Sequence, residues 1–228
     1  MILRKWEKVP GFMQTQAVKR YYDTLSRRTG SLICKRVFDV FVSFVLLLIL
    51  SPVFLVLAVI IKCDSRGPVF FRQRRVTSYG RVFRIFKFRS MVQNAESLGT
   101  QVTVKNDSRI TRVGKALRKF RFDELPQLIN VFLGDMSFVG TRPEVEKYVR
   151  EYTDEMNATL LMPAGVTSLA SISFKDENAL LKDKEDADAV YVSQILPGKM
   201  QYNLEYIEKF SFWGDIKLMF KTALTVFH

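Results

Sequence analysis

The sequence predicts an α+β protein that is mainly helical and embedded in a membrane. Three observations support this fold class. A long apolar stretch runs from Val37 to Cys63, and two short β-like runs follow it at Val69–Val76 and Arg81–Met91. Much of the remaining chain carries apolar residues at helical spacing. We therefore expect a membrane element that is either a re-entrant helix-break-helix or a kinked spanning helix, next to a domain with a small β-hairpin and interfacial amphipathic helices.

The domain boundaries follow from these composition shifts. A basic, aromatic-containing N-terminal arm occupies residues 1–33, which form either an interfacial arm or a loosely ordered leader. The membrane hairpin covers 34–66, and the domain that carries the chemistry covers 67–228. The apolar stretch starts too late and is too long for a signal peptide.

Charge and composition narrow the function classes. The net charge is +12 over 228 residues, with 48% hydrophobic residues. This balance suits an anionic membrane surface and phosphorylated substrates, and by itself it would also suit nucleic acid. The two cysteines form no disulfide framework or metal-ligand spacing. The only histidine is His228, which argues against a histidine-based triad.

The apolar stretch has two interpretations. Pro52 removes a backbone donor and clashes with the preceding turn, so the sequence predicts a break or kink at Ser51-Pro52. Each half is then about 20 Å long, which is short for a hydrocarbon core of roughly 30 Å. Basic residues flank both ends, which favours a hairpin that enters and leaves by the cytoplasmic face. From the residues alone, a Pro-kinked spanning helix is about equally well supported.

At the predicted bend, the hydroxyl of Ser51 is a candidate partner for a freed backbone group. Near the start of the stretch, Asp39 follows Lys35 by four residues, a spacing that allows a pair on one helix face. We interpret Asp39 as structural.

The β-like runs predict a hairpin that closes through Ser78-Tyr79-Gly80. Strand geometry would put Lys87 and Arg89 on one face, where two cations can hold a diphosphate. An exposed basic strand without a ligand would show the same pattern.

Several helices are predicted after the hairpin. Arg109–Arg121 alternates basic and apolar residues with helical period, as does a helix at a membrane surface or any solvated basic helix. The other predicted helices are Ser90–Leu98, Pro143–Met156, Asp186–Ile195, Lys199–Phe210 and Phe212–Phe227, with Pro197-Gly198 separating the third and fourth. The apolar stripe of the last helix faces either the core or the membrane interface.

Two adjacent acids, Asp123 and Glu124, are the candidate chemical centre. As a bare pattern, acids that open a helix are usually dipole complements or caps. Here they follow the cationic segment Arg109–Arg121 and precede Thr141-Arg142-Pro143. Paired carboxylates among cations can share Mg²⁺, which usually also binds substrate phosphates.

These motifs together resemble the bacterial sugar transferase family, the monotopic phosphoglycosyl transferases. The resemblance covers roughly residues 33–225 and rests on blocks that occur in the family's order. The blocks are Lys35–Asp39, Gly67–Gln73, Lys87–Met91, Asp107–Arg112, Asp123–Asn130, Gly134–Ser137 and Arg142-Pro143. The resemblance implies a re-entrant hairpin bent at Ser51-Pro52. It also implies transfer of a sugar phosphate from a UDP-sugar to polyprenol phosphate, at the cytoplasmic face of a bacterial inner membrane.

The resemblance also implies residue roles. Asp123 would be the nucleophile that forms a phosphosugar-aspartyl intermediate and expels UMP. Asp123 and Glu124 would bind the cofactor Mg²⁺. The cations Lys87, Arg118 and Arg142 would bind phosphate oxygens, with Arg89 as a weaker candidate.

The chain departs from the family at Thr141, where Pro is common, and at Pro163–Ser171, where a Pro-Gly-Ile-Thr-Gly block is usual. An Asn-Gly-Arg block is missing, so nucleotide and sugar contacts are not carried over. The expected partners are a UDP-sugar, polyprenol phosphate and membrane lipid, without nucleic acid; a homodimer stays open. Two alternative functions stay open: a membrane-anchored basic binding module without catalysis, and a transferase that moves the sugar without its phosphate.

Overall fold

The structure is a computed structural model that describes residues 2–95, 107–173 and 187–226. Within these ranges the chain is mainly helical with two small sheets, which confirms the predicted α+β class. The α-helices are α1 Gln16–Ser26, α2 Thr29–Asp64, α3 Arg112–Lys119, α4 Gln127–Leu133, α5 Glu146–Val149, α6 Leu169–Ser173, α7 Ala187–Val190, α8 Leu196–Glu208 and α9 Phe212–Val226. The strands are β1 Phe70–Val76, β2 Val82–Phe88, β3 Met136–Val139 and β4 Ala164–Thr167.

The N-terminal arm is packed onto the rest of the chain. Thr15 caps α1 by accepting a hydrogen bond from the Val18 backbone N–H. Val18 and Leu25 of α1 are fully buried in one apolar cluster with Leu161 and Phe210. Residues from both ends of the chain therefore share a core, which does not fit a loosely ordered leader.

The long helix α2 is continuous through Pro52, so the predicted helix-break-helix is not present as an interruption. Proline cannot donate to the carbonyl four residues earlier, which is that of Leu48. The Ser51 hydroxyl donates to the Leu48 carbonyl oxygen at 2.8 Å, as predicted for a group freed at the bend. The side chain thus replaces the missing backbone bond, which explains why the helix tolerates the proline.

One face of α2 packs against the domain along most of its length. The residues of this inner stripe are Phe38, Val42, Leu46, Leu50, Phe54, Leu57 and Ile61. The other faces expose large apolar side chains such as Phe41, Leu48 and Leu55, each at least 60% exposed. By length and composition, α2 is the one described helix that could cross a membrane, and little of its apolar window is buried by protein.

The predicted hairpin is confirmed. Strands β1 and β2 pair antiparallel, with Phe71 opposite Lys87 and Arg75 opposite Phe83. The outer edge of β2 is covered by one side chain from α4. Asn130 accepts from the Phe86 backbone N–H at 2.8 Å and donates to the Arg84 carbonyl oxygen at 3.0 Å. The amide thereby satisfies edge groups that a third strand would otherwise bind.

A second, parallel sheet was not predicted. β3 pairs with β4, and Ser137 lies opposite Gly165. The outer edge of β3 is covered by α2: the Phe138 backbone N–H donates to the Asp39 carboxylate at 3.2 Å, and Lys35 donates to the Val139 carbonyl oxygen at 2.7 Å. The structural interpretation of Asp39 is therefore confirmed.

Some predicted helices were wrong in extent. The described part of Ser90–Leu98, residues 90–95, is not an α-helix, since Met91 bridges Ile110. The helix predicted over Pro143–Met156 is reduced to α5. Pro197-Gly198 does not separate two helices: α7, a π-helical turn at Tyr191–Ile195 and α8 run on without a break. Pro197 lies just after the π-helical turn, where the helical hydrogen-bond register changes.

The predicted amphipathic helices Arg109–Arg121 and Phe212–Phe227 agree more closely with the structure, where they correspond to α3 and α9. In α3, Leu117 is buried and Gly114 packs so tightly that a Cβ there would lie 2.0 Å from the Ser90 carbonyl oxygen. In α9, one face packs into the core, while the other exposes Trp213 at 77% and Phe220 at 69%. The stripe of the last helix thus divides between core and surface.

Candidate active site

The acidic dyad lies on a 3₁₀ turn, Phe122–Glu124, between α3 and α4. Arg121, directly before it, has φ of 59°, in the left-handed region that non-glycine residues seldom occupy. Such a conformation persists only where surrounding contacts hold it, and it reverses the chain between the two helices. Asp123 is buried at this turn, with an exposed fraction of 7%.

Glu124 lies close to cations from three separate parts of the chain. Its Oε1 accepts from Lys87 Nζ of β2 at 2.9 Å and from Arg142 Nη2 at 2.8 Å. Its Oε2 lies 4.0 Å from Arg121 Nη1. Burial by itself would raise the pKa of Glu124, but Arg142 and Lys87 outweigh it and hold the pKa well below its ordinary value. Glu124 is therefore an ionised anchor for the two cations.

Asp123 has a different environment from its neighbour. Burial is the main cause that raises its pKa, and the negative charge of Glu124 adds to the effect. The cations Lys87 and Arg118 act in the opposite direction. Among the described residues, the buried Oδ1 of Asp123 has no hydrogen-bond partner. Asp123 therefore retains hydrogen-bonding capacity that no described side chain uses.

Of the predicted phosphate-binding cations, three converge on the dyad. Lys87 and Arg142 contact Glu124 directly. Arg118, in the last turn of α3, is close enough to lower the pKa of Asp123. Burial lowers the pKa of Lys87, while Glu124 opposes this effect. Sequence positions that are up to 55 residues apart thus form one cationic rim around two carboxylates.

Arg89 lies elsewhere. It is buried, and its Nη2 donates to the Ser65 carbonyl oxygen at 2.6 Å and to the Ile61 carbonyl oxygen at 3.3 Å. These bonds satisfy carbonyls at the C-terminal end of α2. The structure therefore does not bring Arg89 to Glu124, and its substrate-binding role stays a prediction.

Arg142 is supported by a buried network that the sequence did not indicate. Two residues further on, Glu144 accepts from Tyr191 Oη at 2.6 Å and from Lys199 Nζ at 3.2 Å. All three side chains are buried. Arg75 also donates to the Pro143 carbonyl oxygen at 3.1 Å. These contacts hold the backbone next to Arg142 in place.

The donor set fits Mg²⁺ held partly by substrate. No cluster of three His, Cys, Asp or Glu side chains occurs in the part of the chain that the structure describes. Mg²⁺ is usually bound through one or two carboxylates plus substrate phosphates, so a third protein ligand is not required. Asp123 offers its unpaired Oδ1, and Glu124 is ionised.

Apolar rings border the dyad. Phe120 and Phe122 are 57% and 44% exposed, and their ring centroids lie 5.9 Å apart. At the other end of α4, Leu133 is 62% exposed. Exposed apolar side chains that cluster in this way are typical of a surface that contacts a membrane or another protein.

Comparison with known proteins adds independent information. A family model described as bacterial sugar transferase matches residues 30–228. The chain is 40% identical over 196 residues to UDP-N-acetylgalactosamine-undecaprenyl-phosphate N-acetylgalactosaminephosphotransferase of Aeromonas hydrophila. It is 38% identical over 202 residues to UDP-glucose:undecaprenyl-phosphate glucose-1-phosphate transferase of Klebsiella pneumoniae.

The matched segments cover 84% and 86% of this chain, and 43% and 41% of those two relatives. The chain therefore spans about two fifths of their length. A relative of similar length is the exopolysaccharide production protein PSS of Rhizobium leguminosarum bv. phaseoli. It is 37% identical over 201 residues, which cover 85% of this chain and 95% of that protein.

Proposed function

The chain belongs to the bacterial sugar transferase family, and we propose that it moves a sugar-1-phosphate from a UDP-sugar to polyprenol (undecaprenyl) phosphate. The products are UMP and a polyprenyl diphosphosugar, with which the assembly of a surface glycan begins. The observation that carries this proposal is the buried Asp123 carboxylate, whose Oδ1 has no partner among the described residues. The names of the relatives above, which specify UDP-sugars and undecaprenyl phosphate, support the choice of substrates.

In the first step, a carboxylate oxygen of Asp123 forms a bond to the sugar-proximal phosphorus. The bond between that phosphorus and the bridging oxygen breaks, and UMP leaves with this oxygen. Lys87, Arg118 and Arg142 bind phosphate oxygens and stabilise negative charge as it redistributes. Because Glu124 already fixes Lys87 and Arg142, these donors need little reorganisation during the reaction.

In the second step, a phosphate oxygen of polyprenol phosphate forms a bond to the same phosphorus. The bond between Asp123 and phosphorus breaks, which restores the carboxylate and releases the polyprenyl diphosphosugar. Splitting one displacement into two lets a single site serve a water-soluble donor and a lipid acceptor in turn. The exposed rings of Phe120 and Phe122 support an approach of the lipid beside the dyad.

We include Mg²⁺ in the proposal. Asp123 and Glu124 would hold it, and when bound it neutralises charge on the diphosphate. The residues of the chain then have distinct tasks: Asp123 attacks, Glu124 orients the cations, and the cations bind the phosphates.

We further propose that α2 enters and leaves the bilayer on the cytoplasmic side of the inner membrane. Lys35 near its beginning bonds to Val139, and Ser65 after its end accepts from Arg89, so both ends attach to one domain. The inner stripe contacts that domain along the helix. If α2 crossed the hydrocarbon core, the charged groups of the domain would be drawn into lipid at high cost.

The decisive experiment is a screen of UDP-sugars with undecaprenyl phosphate and Mg²⁺, in which UMP and UDP are separated and quantified. The panel includes N-acetylgalactosamine and glucose donors, because the relatives named above differ in their sugar. We expect UMP with at least one donor, and a phosphosugar adduct on the protein when the lipid acceptor is omitted. Release of UDP would instead indicate transfer of the sugar without its phosphate.

A further inference from the structure

One buried side chain next to the dyad has no structural explanation. Gln127, the first residue of α4, is 1% exposed. Neither its Oε1 nor its Nε2 has a hydrogen-bond partner among the described residues. A buried amide normally finds partners, because water cannot replace them at no cost. Leaving both ends of an amide unpaired would destabilise the fold, so a partner outside the described chain, either a ligand or an internal water, accounts for it.

Asn130 provides the contrast on the same helix. It is also fully buried, but its amide bonds to both the Phe86 N–H and the Arg84 carbonyl oxygen. Two buried amides one turn apart on α4 therefore differ in their hydrogen bonding. The amide of Asn130 satisfies backbone groups at a sheet edge, whereas the amide of Gln127 has no hydrogen-bond partner among the described residues.

The position of Gln127 places it at the reaction centre. It follows Asp123 by four residues and Glu124 by three, and backbone i to i+3 hydrogen bonds run through this segment. Side chains at these spacings are neighbours. Glu124 on one side bonds to Lys87 of β2, and Asn130 on the other bonds to the β2 backbone. Gln127 therefore lies between the dyad and the strand that carries Lys87.

We infer that Gln127 is a UDP-sugar-binding residue. Its Nε2 donates to an oxygen of the sugar-proximal phosphate, and its Oε1 accepts from a hydroxyl of the sugar. A ligand with both acceptor and donor groups pairs both ends of the amide at once. The unpaired Oδ1 of Asp123, one turn away, faces the phosphorus of the same group. This inference rests on the proposed function, since it names a contact within that site.

The test compares Gln127→Met with Asn130→Leu, a matched control on the same helix. Replacing an unpaired buried amide by an apolar group of similar size removes a desolvation cost, so Gln127→Met should melt at the wild-type temperature or above. Asn130→Leu leaves two backbone groups of β2 without partners and should melt lower by about 4 °C or more. UMP release by Gln127→Met at saturating donor should fall about 100-fold, as for loss of one preorganised donor.

A second readout does not depend on turnover. Equilibrium binding of UDP-N-acetylgalactosamine and UDP-glucose is measured for wild type, Gln127→Met and Gln127→Glu. We expect about tenfold weaker binding to Gln127→Met, which corresponds to the loss of a hydrogen bond. Gln127→Glu keeps an acceptor but loses the donor, so it should be impaired at least as much.

The outcomes separate two failures. Wild-type protein that binds a UDP-sugar through Gln127 but releases no UMP would sink the proposed transfer and leave the binding assignment standing. UMP release and donor binding by Gln127→Met within twofold of wild type would overturn the assignment and indicate that the amide pairs with internal water only. A melting temperature of Gln127→Met as low as that of Asn130→Leu would overturn it in favour of a structural role.

Discussion

At the residue scale, the site depends on two adjacent carboxylates in different surroundings. Burial and the neighbouring Glu124 charge raise the pKa of Asp123. Burial also acts on Glu124, but the contacts with Arg142 and Lys87 reverse its effect and lower the pKa. Titratable pairs whose environments separate their pKa values commonly have separate roles. The roles proposed above, attack by Asp123 and orientation of the cations by Glu124, agree with two carboxylates whose pKa values differ in this way.

Replacing Asp123 by Asn should abolish turnover, because an amide oxygen cannot serve as the nucleophile. We expect a loss of several orders of magnitude in kcat, as for removal of a covalent nucleophile. Melting should stay near wild type, since Oδ1 has no partner to lose among the described residues. Intact-protein mass spectrometry after a rapid quench should find the phosphosugar adduct on wild type and none on the variant. A variant with a tenth of wild-type activity would exclude the covalent role.

The pH dependence of the first step should reflect the raised pKa of Asp123. A protonated carboxyl cannot attack, so the rate of UMP release falls as pH decreases through this pKa. Bound Mg²⁺ would lower the pKa of Asp123, so the acid limb of kcat/KM should lie at higher pH at limiting Mg²⁺ than at saturating Mg²⁺. Lys87 lowers the pKa of Asp123, so Lys87→Met should move the limb to still higher pH. A limb that stays in place in this variant would contradict the assignment.

Glu124→Gln tests the orienting role and the metal together. The amide keeps the size of Glu124 but loses the charge that holds Lys87 and Arg142. We expect kcat/KM to fall by about tenfold to a thousandfold, from misplaced phosphate donors. The Mg²⁺ concentration needed for half-maximal rate should rise, because one carboxylate ligand is lost. Undiminished wild-type activity in excess chelator would refute the metal role.

At the element scale, side chains complete hydrogen bonding where regular structure ends. Asn130 of α4 covers the edge of β2, and Asp39 with Lys35 of α2 covers the edge of β3. Exposed edges of two-stranded sheets would otherwise invite pairing with other chains. In α2, the Ser51 hydroxyl donates to the Leu48 carbonyl oxygen, which Pro52 leaves without a backbone donor. The polar residues of α2 therefore satisfy backbone groups, either of the neighbouring strand or, at Ser51, of α2 itself.

The Ser51–Leu48 bond can be measured with a double-mutant cycle. Ser51→Ala should reduce the free energy of unfolding by about 1 kcal/mol, because the Leu48 carbonyl loses its partner. In a Pro52→Ala background, the new backbone N–H can bond to that carbonyl, so the same change should cost almost nothing. Unfolding of the four proteins in lipid nanodiscs gives the coupling energy. Equal costs of Ser51→Ala in both backgrounds would show that the hydroxyl does not replace the missing bond.

At the scale of the whole molecule, the domain packs along α2 and is not attached at one end of this helix only. The inner stripe of α2 packs on the domain, and its outer faces are apolar and exposed. On α9, Trp213 and Phe220 add a second exposed apolar surface. With a net charge of +12, the chain suits the anionic surface of the cytoplasmic leaflet. In the proposed topology, this arrangement would place the dyad at the bilayer surface, within reach of a lipid phosphate.

The two free cysteines test this topology. Cys34 and Cys63 lie near opposite ends of α2, and both are exposed. In sealed inner-membrane vesicles of known orientation, a membrane-impermeant maleimide should label both from the cytoplasmic face and neither from the other. Single-cysteine variants separate the two signals, and denatured samples show whether lipid shields either thiol. Labelling of one cysteine from each side would demonstrate a spanning helix and overturn the proposed topology.

The acidic part of the candidate site was predictable because it is local in sequence. The adjacent acids Asp123 and Glu124 and the basic segment before them are visible as a run of residues. The hairpin was also predictable, since a Gly-containing turn joins two β-like runs, which the structure pairs as β1 and β2. Lys87 and Arg89 have the same charge and the same predicted strand face, yet Lys87 bonds to Glu124 and Arg89 to the end of α2. Alternation along a strand cannot predict which neighbour each side chain reaches.

The sequence by itself predicted the long apolar helix, the pair of adjacent acids and the family, because each depends on composition or on short runs of consecutive residues. The tertiary structure decided three further features. It continued α2 through Pro52, since one hydroxyl replaced the missing bond. It paired β3 with β4 and anchored the chain beyond Arg142 through Glu144 and Lys199. It also left the Gln127 amide buried and unpaired among the described residues. These features depend on contacts between distant parts of the chain, where packing and hydrogen-bond geometry outweigh local preference.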